Sequence, residues 1–210
     1  GLVELSRGTR ASAPPDNLSL IKDEYVSAGV ISESIFRTAK AYFEGASLPK
    51  ALEDFLKRNR PDIEGANSGA LISSATNFTN EVVSVVSRMQ NTSICIQGPP
   101  GSGKTYTAAK AICELIRQGK RVGITSNSHK AIANLIDKVV DEMEGQGNVN
   151  LLNAIKIQSN TDQFHVRSAH VQALDTRKFF GHGPEQFNLI GATAWLYSRA
   201  DSIDMVGYLF

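Results

Sequence analysis

Gly98-Pro99-Pro100-Gly101-Ser102-Gly103-Lys104-Thr105 decides the reading of this 210-residue chain. It matches the pattern G-x-x-x-x-G-K-[ST] in full. Glycines let a backbone curl tightly around a phosphate, and the N–H groups at the start of the following helix point at it. Lys104 brings a point charge to the outer phosphates of a nucleotide, and the Thr105 hydroxyl is placed to ligate Mg²⁺. The stretch therefore implies a nucleoside triphosphate site built from Gly98, Pro99, Pro100, Gly101, Ser102, Gly103, Lys104, Thr105 and the adjoining Tyr106. It implies a nucleoside triphosphate with Mg²⁺, and puts Lys104 and Thr105 in the catalytic roles.

Such a motif needs a strand before it and a helix after it. Ser93 to Gln97, with Ile94 and Ile96, reads as the strand. Ala108, Ile112, Leu115 and Ile116 recur at helical spacing up to Gln118, and Gly119 closes the helix. Further out, Thr79 can cap a helix carrying Val82, Val83, Val85, Val86 and Met89. Arg121 to Ser126 reads as a strand. From Ser128 a helix presents Ile132, Leu135, Ile136, Val139, Val140 and Met143 as one buried stripe. Ala154 to Gln158, Asn188 to Thr193 and Met205 to Phe210 read as further strands, while 159 to 187 carries no decisive pattern. Helices alternating with short apolar strands indicate a parallel sheet covered on its faces.

Upstream of about residue 70 the pattern differs. Ile35, Phe36, Ala39, Tyr42 and Phe43 recur at helical spacing from about Ser34, and Ser47 can cap a second helix with Ala51, Leu52, Phe55 and Leu56, ending before Pro61. Asp62 to Gly69 reads as a linker. Gly1 to Leu5 has the composition of a strand, and Arg7 to Pro15 that of a loop. The division expected is a helical accessory and linker segment over 1–70 and an ATP-binding domain over 71–210. Gly1 in place of Met and the apolar Tyr208-Leu209-Phe210 make both ends look cut from something longer.

Composition excludes several classes. No run of consecutive apolar residues exceeds that from Ala194 to Tyr197, so there is no transmembrane helix or secretory core in the sequence, and a cytoplasmic chain is expected. A net charge of +1 points neither toward nor away from a polyanion. Cys95 and Cys113 each lie among apolar residues and are expected as buried hydrophobes rather than a disulfide or zinc ligands. His165 and His170 are five apart, not the four that aligns ligands on a helix, and His182 lies in a Gly-His-Gly-Pro turn, so no metal site beyond nucleotide-bound Mg²⁺ is assigned.

Phosphoryl transfer in this class also needs an acidic residue at the end of a second strand. Val139-Val140-Asp141-Glu142 is the one pair downstream of Lys104 that resembles it, yet Val139 and Val140 belong to the helical stripe, so the acids sit on a solvated helix end. Met205 to Phe210 has the composition of a strand that delivers such an acid. The carboxylates are expected as the next residues of a parent protein.

Ile96 to Thr105 resembles the ATP-binding motif of superfamily 1 helicases, in particular the branch of RNA-surveillance helicases and their DNA-processing relatives. Arg121 to Ile132, an apolar strand followed by Ser126-Asn127-Ser128-His129-Lys130, is similar to that branch's second motif, and Ile190 to Leu196 to the later one with Thr193 followed by a small residue. The subgroup that fuses a RecB-like nuclease to the helicase fits best at Gln97 to Tyr106, Ser128-His129-Lys130 and Thr193 to Leu196. The resemblance covers 92–136 and 188–210, and its weight lies in the order and spacing of the motifs.

It implies a three-layer RecA-like P-loop NTPase fold of class α/β, truncated just before an Asp-Glu motif. It also implies a parent that is an ATP-dependent helicase, while the piece alone is inactive. Expected partners are single-stranded nucleic acid, DNA rather than RNA, a second RecA-like domain and a nuclease domain. Its adenine-reading glutamine has no aligned counterpart; Glu81 and Val82 stand in that neighbourhood.

Ser126, Asn127, Ser128, His129 and Thr193 are the candidate nucleic-acid contacts, since small polar side chains at a strand-to-helix turn suit a phosphate oxygen. Capping the helix needs just one of the three at Ser126 to Ser128. Trp195 offers a face for base stacking, though Leu196 and Tyr197 beside it favour a core position. Arg167, Arg177 and Lys178 read as solvated surface that could follow a backbone. Two alternatives remain: a ring-forming remodelling ATPase, which predicts an acidic strand end near Asn153 to Gln158 where no acid occurs, and a nucleotide-binding module without catalysis.

Overall fold

Residues 28–66, 68–73, 76–158 and 165–210 are described by a computed structural model. The expected strand at Gly1 to Leu5 and loop at Arg7 to Pro15 lie outside them. The lead-in forms α1 (Gly29–Phe43) and α2 (Lys50–Lys57). There follow α3 (Phe78–Ser87), α4 (Lys104–Arg117), β1 (Val122–Thr125), α5 (His129–Gly145), β2 (Ala154–Ile157) and β3 (Val171–Leu174). The chain then runs through α6 (Thr176–His182), β4 (Leu189–Ala192), α7 (Ala194–Tyr197) and β5 (Tyr208–Leu209).

The strands form one parallel sheet in the order β3-β2-β4-β1-β5. Successive residues of a strand face opposite sides. Val122, Ile124, Ala154 and Leu189 join Ile112, Leu115, Ile132, Ile136 and Met143 in a core under α4 and α5. Ile155, Ile157 and Ile190 pack on the other face with Phe179, Phe187 and Leu196. A sheet apolar on both faces and covered on both is the three-layer α/β architecture expected.

Two close approaches fix the layers. At Gly191 a Cβ would stand 2.5 Å from Ile136 Cδ1 and 2.8 Å from Ile132 Cγ2, so glycine lets α5 settle onto β4. At Gly123 a Cβ would meet the Leu209 and Tyr197 side chains at 2.7 Å, where the Tyr197 hydroxyl donates to Ile190 O at 2.5 Å.

The segment Ser93 to Gln97 differs from its expected strand. It joins no ladder, because β5 ends the sheet on that side and no described strand lies between them. Cys95 is consequently exposed rather than buried, whereas Cys113 is fully buried and desolvation pushes its thiol up to about 12. Native protein at pH 8 is thus expected to react with one equivalent of a disulfide reagent at Cys95, and with a second only after unfolding. Two equally fast thiols would contradict this packing.

The lead-in docks on the nucleotide domain through hydrogen bonds at the stretch read as a linker. Gln90 N donates to Asp62 O at 2.9 Å, Glu64 N to Arg88 O at 3.0 Å, and Ile63 is 2% exposed. Beside them the buried Asp54 carboxylate accepts from Lys50 Nζ at 2.8 Å, Thr92 Oγ1 at 2.7 Å and Asn59 Nδ2 at 3.1 Å. These donors, Lys50 first, hold its carboxyl down at about 2. An unfolded aspartate titrates near ~3.9. A lowered pKa contributes stability that is complete above that value and lost as pH falls through about 2. Acid titration of stability between about pH 4 and pH 2 is therefore expected to flatten in Asp54→Asn; an unchanged slope would remove Asp54 from the docking.

Candidate functional site

The phosphate loop lies at the C-terminal edge of the sheet, where α4 begins. Gly101 and Gly103 adopt φ of +78° and +83°, a region side chains rarely enter, so the turn depends on them. A Cβ at Gly98 would come within 2.5 Å of Ser102 Oγ. Gly103 is the N-cap of α4 and no side chain caps that end, which leaves first-turn N–H groups free for an anion. Lys104 Nζ donates to Gly98 O at 2.6 Å and Pro99 O at 2.8 Å, folded back over its own loop. Thr105 and Tyr106 are exposed. An uncapped helix start, an exposed lysine over the loop and an open hydroxyl fit a Mg²⁺-nucleotide: the loop would hold the phosphates, and Thr105 the metal, which when bound neutralises phosphate charge.

α4 is anchored on both sides. Thr107 Oγ1 lies 3.3 Å from Thr79 Oγ1 on α3; Thr79 sits inside that helix, and Asn77, not Thr79, occupies the cap position. Lys110 Nζ pairs with Glu142 on α5 at 2.8 Å and lies 5.1 Å from the centre of the Tyr106 ring. Each partner favours the other's charged form, so the Lys110 pKa is raised and that of Glu142 lowered. Val139 and Val140 lie buried within α5 as the helical stripe implies, while Glu142, read as part of a solvated helix end, is partly buried in this ion pair.

The candidate nucleic-acid residues stand on neighbouring strand ends. Thr125 pairs with Ala192, so Ser126 and Thr193 follow side by side at the same edge. Ser128 Oγ accepts from Ala131 N at 3.3 Å and caps α5, and Ser126 Oγ accepts from Ser128 N at 3.2 Å. Two of the three small residues thus shape the turn, and Asn127 is exposed. His129 is half-buried at the first turn of α5, and Trp195 is half-buried on α7.

A cavity of about 310 Å³ is bordered by Thr105 of the loop, Thr125 and Ser126 of the turn, Asn134 of α5, and Phe210 just past β5. The phosphate loop and the strand-to-helix turn after β1, separated in sequence, meet there, and Thr193 is not among the residues that border it. Arg167 is not a free basic residue: it donates to Asp137 Oδ2 at 3.0 Å and Asp141 Oδ2 at 3.3 Å, pinning its segment on α5. Sequence reasoning missed this tie, and the i,i+4 acids on α5 were its one visible signal. Among the described residues no group of three or more His, Cys, Asp or Glu could hold a metal, and no helix is long and apolar enough to cross a membrane.

No curated protein sequence matches the chain. A family profile described as an AAA domain matches residues 78–187, just over half of it, spanning the loop, α4, β1 and α5. That family occurs in superfamily 1 helicase-like proteins, whose P-loop enzymes bind nucleotide and usually Mg²⁺. The chain belongs to this AAA-domain family, and is a P-loop NTPase of helicase type.

Proposed function

We propose that the chain is the ATP-binding part of a cytoplasmic motor that couples ATP hydrolysis to movement along single-stranded nucleic acid, DNA rather than RNA. The observation that carries this reading is the cavity shared by Thr105, Ser126 and Phe210. Nucleotide at the loop and a strand at Ser126 would border one space, with Thr193 beside Ser126 at the neighbouring strand end and Asn127 to His129 following in the turn, so a change at either is felt at the other. A carboxylate just after Phe210 would face Thr105 across that cavity, and the reading places the acidic motif there. It places in the same protein a second RecA-like domain that closes on the nucleotide, and a RecB-like nuclease. β2 leads into Gln158 and buries Lys156 at 0% exposure, which gives a ring-forming ATPase's acidic strand end no support.

The test is phosphate release by the whole protein with and without single-stranded DNA or RNA, beside the 210-residue chain. DNA is expected to stimulate turnover of the whole protein about tenfold or more, while the 210-residue chain binds nucleotide weakly and turns over negligibly. Equal rates with and without nucleic acid would end the motor reading. Robust turnover by the 210-residue chain would end the account of the acid.

A further inference from the structure

Tyr106 is the third residue of α4 and follows directly on Thr105, so its side chain springs from the turn whose free N–H groups suit the phosphates. Its ring is 52% exposed and adds little to the core, yet it is not loose. Lys110, one turn further along the same helix face, sets its ammonium over the ring, 5.1 Å from the centre, and Glu142 of α5 holds that ammonium at 2.8 Å. Side chains of a helix lean toward its N-terminus. Lys110 therefore backs the ring from the far side and leaves the face toward the phosphate loop open, with no other ring against it among the described residues. The polar side chains nearby on α3 and α4 engage one another instead. Thr107 Oγ1 lies 3.3 Å from Thr79 Oγ1, Glu81 accepts from Ser73 N at 2.6 Å and Ser73 Oγ at 3.2 Å, and Asn80 Nδ2 donates to Asn77 Oδ1 at 2.7 Å.

We infer that Tyr106 is the platform on which the nucleobase stacks, and that the site takes adenine and guanine nucleoside triphosphates alike. The loop fixes the phosphates, and the sugar bridges from them to a ring one residue past Thr105. Stacking tolerates any base, because every base has a π-face. Telling adenine from guanine takes hydrogen bonds to the base edge, and the side chains that could supply them are turned to their own partners. Lys110 is a positioning residue, since its ammonium under the ring keeps the other face presented. The assignment rests on the nucleotide reading proposed above and names the substrates of that site as purine nucleoside triphosphates rather than ATP alone.

Calorimetric titration of the 210-residue chain with the Mg²⁺ complexes of ATP, GTP and inorganic triphosphate tests it. ATP and GTP are expected to bind within about threefold of each other and roughly tenfold more tightly than triphosphate, the worth of one stacked base. Tyr106→Ala is expected to bring both nucleotides down to the level of triphosphate, whose own affinity stays the same. Tyr106→Trp is expected to keep the affinity for both nucleotides and to lose indole emission on adding ATP or GTP but not triphosphate, with Trp195 of the parent chain as the background. Unchanged nucleotide affinity in Tyr106→Ala overturns the inference, as does an equal loss for triphosphate, which would make Tyr106 a support of the loop. A preference for ATP over GTP of about tenfold or more also overturns it, because a polar group then reads the base edge. Triphosphate binding that the nucleotides do not improve on removes the stacking role and leaves the phosphate site standing, whereas failure of all three ligands to bind removes the nucleotide reading itself.

Discussion

Lys104→Ala is expected to lower nucleotide turnover of the whole protein by about 10²–10³-fold while leaving its fold unchanged. The fold is spared because Lys104 is exposed at the first position of α4, and among the described residues its ammonium bonds only Gly98 O and Pro99 O. Those carbonyls lie in an exposed loop and water replaces the lost donor. Alanine is the best residue for a helix position, so α4 itself is not weakened. Turnover falls because a charge aimed at the outer phosphates acts most where negative charge builds during transfer. Arginine is no substitute: its planar fork is larger and matches two oxygens rather than a point. Thr105→Ser should keep the Mg²⁺ dependence that Thr105→Ala loses, since only the hydroxyl is needed. Steady-state phosphate release, with thermal melting as the control for folding, checks all of these. Turnover of Lys104→Ala within a few-fold of the parent would sink the assignment.

Features written in adjacent residues were legible, and those that depend on distant partners were not. The loop Gly98 to Thr105 and the stripe from Ile132 to Met143 are local patterns, and both appear where the sequence puts them. Ile94 and Ile96 alternate as a strand does, yet strand formation requires a neighbour that the described residues lack. β3 was missed because it is an edge strand with Gln172 and Ala173 exposed, so it carries no alternation to read. α6 had a usable signal: Asp175 caps it, accepting from Lys178 N at 2.9 Å, and Gly183 ends it. The bond from Thr92 to Asp54 spans 38 residues, and nothing in either neighbourhood announces it. In the candidate site, the strand-to-helix turn at Ser126 to Ser128 was legible but the division of labour within it was not. Ser126 and Ser128 are spent on the turn, a fact set by backbone geometry rather than by composition.

The contact between α5 and β4 yields the largest expected change in stability. Ile136 is 0% exposed and its Cδ1 lies where a Cβ on Gly191 would go, 2.5 Å away. Ile136→Ala removes that methyl and more from a closed interior, and such substitutions cost about 2–5 kcal/mol, according to how far the site collapses. Gly191→Ala does the reverse. Its new methyl meets both Ile136 Cδ1 and, at 2.8 Å, Ile132 Cγ2, a branch stiff at χ1 that yields less readily. Overpacking of that kind costs about 1–3 kcal/mol. The two changes are opposite in volume at one point, so they should not add. In the Ile136→Ala background the Gly191 methyl enters the cavity left behind, and its cost should shrink or change sign, a coupling of at least about 1 kcal/mol. Urea denaturation of the parent, both single variants and the double variant closes the cycle. Strict additivity would mean that α5 does not rest on β4 through Gly191, and the register of the helix layer over the phosphate loop would have to be redrawn.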